Sequence, residues 1–213
     1  MLNAIYSDGN RSNVLSLIEN QKRMGKFTVI DIGGSMVGWS RNHIDAIVDF
    51  NDPPININPN ILHFKIDVTH SDSYVELMNY VKKNGKFDFC ICTHLLEDII
   101  NPGLVCEKMS DISHSGYIAF PSKFRELARF EGDYRGYIHH RWIFTIESGR
   151  LVGYPKISYI ESEVFNSVAD LSENLCDLSF YWNTSVSIEY LNNNFLGPNV
   201  ESVKRYYNKL LIR

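Results

Sequence analysis

Long apolar runs are absent from this sequence. No segment approaches 18 uninterrupted apolar residues, so nothing in it reads as a membrane-spanning helix. The first 25 residues carry Asp8, Arg11, Glu19, Lys22 and Arg23, charges that break up the apolar core a secretion signal needs, and the expected location is the cytoplasm. A basic excess is absent too. Lysine and arginine total 21 against 25 aspartates and glutamates, a formal net charge of −4, which removes any general attraction to nucleic acid phosphates. Cysteine is scarce: Cys90, Cys92, Cys106 and Cys176 form no C-x-x-C pair and do not outline a zinc framework. Cys90 and Cys92 stand two apart in an apolar run, which places them on one face of a strand as buried thiols of a reducing compartment. Repeats, low-complexity tracts and long linkers are also missing. The 213 residues suit one α/β domain, 1–213, with a substantial core.

What is present is an alternation of apolar runs and helical patterns. Val14, Leu15, Leu17 and Ile18 mark a leading helix. Residues 27–32 form a first strand, 44–50 a second that reaches Asp49, and 61–68 a third that carries Asp67. Val75, Leu77, Met78 and Val81 mark an amphipathic helix closed by Asn84-Gly85, followed by a continuous buried strand at 87–93, a helix at 104–112 and a strand at 116–120. Strands separated by helices imply a parallel sheet with right-handed crossovers. Further on, 142–146 and 150–154 flank Ser148-Gly149 as a hairpin, 178–182 and 186–190 alternate as strands, and 200–211 reads as a helix; these pieces complete the sheet and one wall of a cleft.

The most informative stretch runs from Val29 through Asp31, Gly33, Gly34 and Ser35 to Gly38: an apolar strand, an acid, and a glycine-rich turn opening toward a helix. Nucleotide-like cofactors bind at such turns. The dinucleotide fingerprint G-x-G-x-x-G is incomplete, because Ser35 stands where its second glycine belongs. An acid two residues before the first glycine suits a cationic ligand better than a pyrophosphate. Asp31 at the carboxyl end of its strand can attract the sulfonium and amino group of S-adenosylmethionine (SAM). In a parallel sheet the ligand lies over the strand ends, so Asp31, Asp49 and Asp67 converge on one cleft. Asp49 either accepts hydrogen bonds from ribose hydroxyls or caps a turn, with Asp52 a nearby competitor; Asp67 is placed to hold the adenine amino group.

Asp31-Ile-Gly-Gly, the Asp49 strand end, Lys65-Ile-Asp67 and the run from Phe87 through Thr93-His94-Leu-Leu-Glu97-Asp98 to Pro102 resemble successive motifs of the class I SAM-dependent methyltransferases. The resemblance spans about residues 13–156. It implies a Rossmann-like α/β fold, a mostly parallel seven-stranded sheet flanked by helices, with SAM as cofactor and Asp31, Gly33, Gly34, Ser35, Asp49, Asp67 and Thr93 around it. The chain departs from the pattern at Ser35 and Val37, where glycine often stands. A narrower resemblance lies in Gly116 to Lys123, Tyr134 to Phe144 and Gly153 to Lys156. These segments are similar to methyltransferase domains of bacterial and large-virus glycan pathways, some of them fused to glycosyltransferases. That resemblance implies O-methylation of a sugar hydroxyl on a glycan, a deoxyhexose such as rhamnose, and the host cytoplasm for a viral chain. A small-metabolite or protein acceptor, and a catalytically silent SAM-binding scaffold, are the alternatives.

A sugar hydroxyl is weakly acidic and benefits from a base that takes its proton as the new bond forms. The base falls to His140 or His139, with His94 and Arg141 orienting hydroxyls. His94, Glu97, Asp98, His139 and His140 also contain enough nitrogen and oxygen ligands for a divalent ion, although no metal ligand is assigned, and Glu97 with Asp98 reads equally as the start of a helix. Tyr134 and Trp142 offer flat faces to a sugar ring, and Lys123 or Arg125 could meet an acidic acceptor. Residues 121–145 are expected to be an acceptor-site insertion, with Gly132 and Gly136 allowing lid motion.

Overall fold

The computed structural model describes residues 1–7, 11–34, 38–53, 58–130, 132–168, 175–191 and 200–212. In chain order the elements are β1 (Ile5–Ser7), α1 (Arg11–Met24), β2 (Val29–Ile32), β3 (Ala46–Asp49), β4 (Leu62–Lys65), α2 (Val75–Asn84), β5 (Phe87–Thr93), α3 (Pro102–Ile112) and β6 (Ser113–Pro121). They continue with α4 (Lys123–Leu127), β7 (Trp142–Glu147), β8 (Arg150–Pro155), β9 (Asp177–Asn183), β10 (Ile188–Tyr190) and α5 (Val200–Asn208).

A strand buried on both faces is mostly apolar, and Val29 to Ile32, interrupted only by Asp31, and Phe87 to Cys92, interrupted only by Asp88, fit that pattern. These strands lie side by side in the middle of a seven-stranded sheet of order β1-β9-β6-β5-β2-β3-β4. Strands β2 to β6 are mutually parallel; β9 runs antiparallel to β6, and β1 antiparallel to β9. The chain builds outward from β2 to β3 and β4, then returns to the other side of β2 with β5. That reversal between β2 and β5 is the topological switch point of an open Rossmann-like sheet, where ligands bind beyond the carboxyl ends of the strands. The expected seven-stranded, mostly parallel sheet is therefore present.

The two-residue period of the strands sorts their side chains into two layers. Ile30, Ile32, Cys90 and Cys92 pack with Leu77 and Val81 of α2 and Val105, Cys106 and Met109 of α3. Val29, Ile47, Phe89 and Ile91 meet Val14 and Ile18 of α1 on the other side. Cys90, Cys92 and Cys106 are buried free thiols, as their spacing implied, and burial holds all three pKa values above the ordinary thiol range.

A second sheet, β10-β8-β7, carries the expected hairpin about Ser148-Gly149. Its Phe144 stacks on Phe120 of β6, with ring centroids 4.9 Å apart, which joins it to the main core. Against it, Leu127, Ile143, Tyr154, Tyr207 and Leu210 form a third apolar cluster under α5. Three readings of the sequence change. Of the later segments expected to complete the main sheet only β9 does so, while β7, β8 and β10 form the separate one. The edge of the main sheet is taken by β1, a strand of three residues that the periodicity did not mark. Glu97 and Asp98 do not begin a helix: they lie in a turn, and α3 starts at Pro102, capped by the Asn101 side chain accepting from the Leu104 amide at 3.3 Å.

Candidate active site

Asp31 sits inside β2, 1 % exposed, with Ser40 Oγ donating to its Oδ2. Its Oδ1 is buried and has no hydrogen-bond partner among the described residues. Burial, only partly offset by the Ser40 bond, raises the Asp31 pKa from 3.8 to about 6. The following turn is shaped around this carboxylate. Gly33 takes φ +73°, a left-handed conformation that favours glycine, and a Cβ there would lie 2.8 Å from Leu95 Cδ2. A Cβ on Gly34 would run into the Asp31 carboxylate itself. Ser35 lies outside the described residues.

Register carries the other two acids past this point in steps. Ile32 pairs with Val48, so Asp49 stands one residue further along; Asp49 pairs with Lys65, and Asp67 follows two residues later. The three acids thus form a diagonal at the strand ends, each about two residues, roughly 6.6 Å, beyond the last. Asp49 Oδ1 accepts from the Asn51 amide at 3.0 Å and its side chain at 3.3 Å, whereas Asp52 is drawn away to Lys65 at 2.8 Å. Asp67 Oδ1 accepts from Thr69 Oγ1 at 2.6 Å and from its amide at 3.0 Å, bonds that lower the Asp67 pKa. Thr93 ends β5, next to β2.

His94 follows at once, at φ +51°, where few residues with a Cβ are found. Its amide donates to the Ala119 carbonyl at 2.9 Å, its Nδ1 lies 3.4 Å from Glu97 Oε1, and its Nε2 lies 3.8 Å from Asp177 Oδ2. Burial alone would lower the His94 pKa, but the Glu97 and Asp177 carboxylates outweigh it and the net shift is upward. Glu97 is only 2 % exposed, and burial raises its pKa against the opposing pull of His94. Its carbonyl accepts from the amides of Arg141 at 2.7 Å and Trp142 at 3.2 Å, pinning the turn after β5 to the start of β7.

This pin brings His139 and His140 to the same turn. Asp98 Oδ1 is 3.4 Å from His140 Nε2 and 3.7 Å from His139 Nε2. Behind it, His140 Nδ1 and Glu126 Oε1 are 2.5 Å apart, and Glu126, fully buried, accepts from Lys156 Nζ at 2.7 Å through its other oxygen. Lys156 also donates to the Tyr137 carbonyl at 2.6 Å. Tyr134, 58 % exposed, and Ile138, Ile157, Lys156 and His140 line a shallow cavity of about 220 Å³.

The structure brings His94, His139 and His140 together around Glu97 and Asp98, with the Arg141 backbone beside them. Trp142 donates Nε1 to the Ile99 carbonyl at 2.9 Å and packs on Tyr190, with centroids 5.0 Å apart. Lys123 donates Nζ to the Ile212 carbonyl at 2.6 Å, toward the carboxyl terminus rather than the histidines. Sequence reasoning missed three partners: Glu126 and Lys156 behind His140, and Asp177 facing His94. Glu126 lies 14 residues before His140 and Lys156 lies 30 residues after Glu126, separations that carry no local signal.

No protein-family model and no curated protein matches the sequence. Among solved structures, the N-terminal domain of EvdMO1 with S-adenosylhomocysteine (SAH) bound is similar over 84 % of this chain and 82 % of that one, at 11 % identity and a TM-score of 0.44. The same domain in the presence of SAH and D-fucose matches over 82 % and 84 %, at 9 % identity and a TM-score of 0.42. The methyltransferase domain of bacterial CtHen1-C matches over 83 % and 99 %, at 9 % identity and a TM-score of 0.44. Likeness at this distance concerns the course of the chain. The chemistry has to be argued from the residues.

Proposed function

We propose that this chain is a SAM-dependent O-methyltransferase whose acceptor is a sugar hydroxyl of a glycan, a deoxyhexose such as rhamnose, with residues 121–145 serving as the acceptor-site insertion of one domain. The observation that carries the reading is Asp31: a buried carboxylate at the switch point, one oxygen unpartnered, under a turn in which Gly34 leaves room for nothing beyond hydrogen. A buried carboxylate needs a cationic or hydrogen-bonding partner, and the ammonium and sulfonium of SAM provide that chemistry. The residues fit the group. Asp31 holds the methionine end, Asp49 the ribose hydroxyls, and Asp67 the adenine amino group.

When bound, SAM supplies an electrophilic methyl group on a positively charged sulfur. His94 acts as base. Its side chain is 37 % exposed, and the Glu97 carboxylate 3.4 Å from its Nδ1 stabilises the imidazolium that forms when the ring takes a proton. His140 is held at Nδ1 by Glu126 and its side chain is only 6 % exposed, which suits a fixed role better. His94 Nε2 would take the hydroxyl proton as the acceptor oxygen met the methyl group, and SAM would leave as the neutral thioether. Much of the rate comes from holding oxygen, carbon and sulfur in line. Tyr134 and the apolar rim of Ile138 and Ile157 support the sugar reading, since they offer the C–H face of a deoxyhexose a surface beside polar Lys156 and His140.

Calorimetry with SAM and SAH tests the cofactor, and methyl transfer to a panel of rhamnosyl, fucosyl, small-metabolite and protein acceptors tests the substrate. Expected are stoichiometric SAH binding and turnover on glycosyl acceptors. Absence of SAH binding to folded protein overturns the enzyme, and turnover confined to a protein or metabolite overturns the acceptor class.

A further inference from the structure

We propose that Asp98, His139 and His140 bind a first-row divalent transition-metal ion, such as Zn²⁺, Mn²⁺ or Fe²⁺, and that this ion takes up hydroxyls of the acceptor. Each of the three residues offers one ligand atom, and these atoms all lie within 4.8 Å of one another. The carboxylate oxygen is 3.4 and 3.7 Å from the two nitrogens, too far for a good hydrogen bond. It fits the edge of a coordination polyhedron instead: ligands about 2.1 Å from a tetrahedral ion are about 3.4 Å apart. Asp98 Oδ1 is itself buried and has no hydrogen-bond partner among the described residues.

A second observation points the same way. Metal-bound histidines usually give their other ring nitrogen to a carboxylate, which fixes the tautomer and turns a lone pair toward the ion. Glu126 stands in that place behind His140 Nδ1 at 2.5 Å, and Lys156 balances its charge. With the proton on Nδ1, Nε2 is a lone-pair donor facing Asp98. Two imidazoles and one carboxylate favour a transition metal over Mg²⁺ or Ca²⁺. The protein supplies three ligands and His139 is 64 % exposed, which leaves further coordination positions open to solvent, as at catalytic sites. Asp98 directly follows Glu97, the partner of His94, so a hydroxyl held by the ion would be polarised on the turn that carries the base. The acceptor role rests on the methyltransferase reading; the metal site does not.

The test uses the full chain without SAM. Titration with Co²⁺, followed by visible absorption, and with Zn²⁺ and Mn²⁺ by calorimetry should give one site per chain. Asp98→Asn and His139→Ala, both partly exposed, should each weaken it at least 10-fold while far-ultraviolet circular dichroism and SAH binding stay unchanged. Lack of saturable binding for all three ions overturns the site, as does affinity that survives both substitutions. A chain that binds metal but neither SAH nor a glycosyl acceptor keeps the site and removes its proposed use; one that binds SAH and turns over equally with and without the ion removes the acceptor role alone.

Discussion

Replacing Asp31 with asparagine separates what this carboxylate does for the cofactor from what it does to the fold. The substitution keeps the shape and leaves an amide oxygen to accept from Ser40, but it removes the charge. Burial raises the Asp31 pKa from 3.8 to about 6, so the folded protein holds this proton more tightly than the unfolded chain does. The stabilisation that proton brings is complete below pH 3.8 and is lost as pH rises through 6. The shift of about 2.2 units corresponds to about 3 kcal/mol of penalty on the cofactor-free fold at pH 7.5, shrinking to about 1 kcal/mol at pH 4.5. Asp31→Asn should therefore raise the melting temperature of the cofactor-free protein by about 6–12 °C at pH 7.5 and by about a third of that at pH 4.5. In the same variant, calorimetry should find SAH binding lost. A stabilised protein that no longer binds its ligand is the expected signature of a charge held in place for function. A variant that melts lower than the parent at pH 7.5, or that binds SAH as well as the parent, refutes the reasoning.

Gly34→Ala should also defeat SAH binding, but with a fall in stability of about 1–3 kcal/mol in thermal or urea unfolding, because the new methyl group displaces the Asp31 carboxylate. His94→Gln should lower kcat about 10²–10⁴-fold with SAH affinity unchanged. In the parent, the acid limb of the kcat/KM profile should fall above pH 6.5, because the neighbouring carboxylates raise the His94 pKa and the base is lost once it is protonated. Glu126→Ala leaves the buried Lys156 ammonium and His140 without their shared partner, and chemical denaturation should register a loss of about 3–5 kcal/mol.

What was legible in the sequence follows the range of the interaction responsible. Strand β5 has the bounds its pattern implies, because Phe87 to Thr93 is apolar but for Asp88 and the terminal threonine, a composition that marks a buried central strand without outside information. The strands at β3 and β4 are shorter than their apolar stretches, 46–49 within 44–50 and 62–65 within 61–68, because pairing stops where the chain turns toward the cleft. Strand β1 was invisible. Ile5 pairs with Ser179, 174 residues away, and three residues carry no period of their own. The helix expected at Glu97 failed for a related reason: their acidic side chains suit a helix start, yet tertiary pinning of Glu97 by the Arg141 and Trp142 amides holds a turn there.

The candidate site divides in the same way, and the division bears on mechanism. The half proposed to face the cofactor is written locally, in an acid, two glycines and strand ends whose order alone sets their convergence. The half proposed to face the acceptor is assembled across long separations: Asp98 and His140 meet because the Arg141 amide reaches Glu97, and His140 takes its orientation from Glu126 in α4 and Lys156 just past β8. Local construction ties the first half to the strands of the main sheet. The second depends on the segment between α4 and β7 keeping its place, and Arg135, buried there with its guanidinium donating to the carbonyls of Leu127 at 2.6 Å and Phe165 at 3.0 Å, ties that segment to the third cluster. On the proposed reading, changes in this segment alter acceptor specificity and leave the cofactor end constant, since no hydrogen bond of Asp31, Asp49 or Asp67 reaches into it among the described residues.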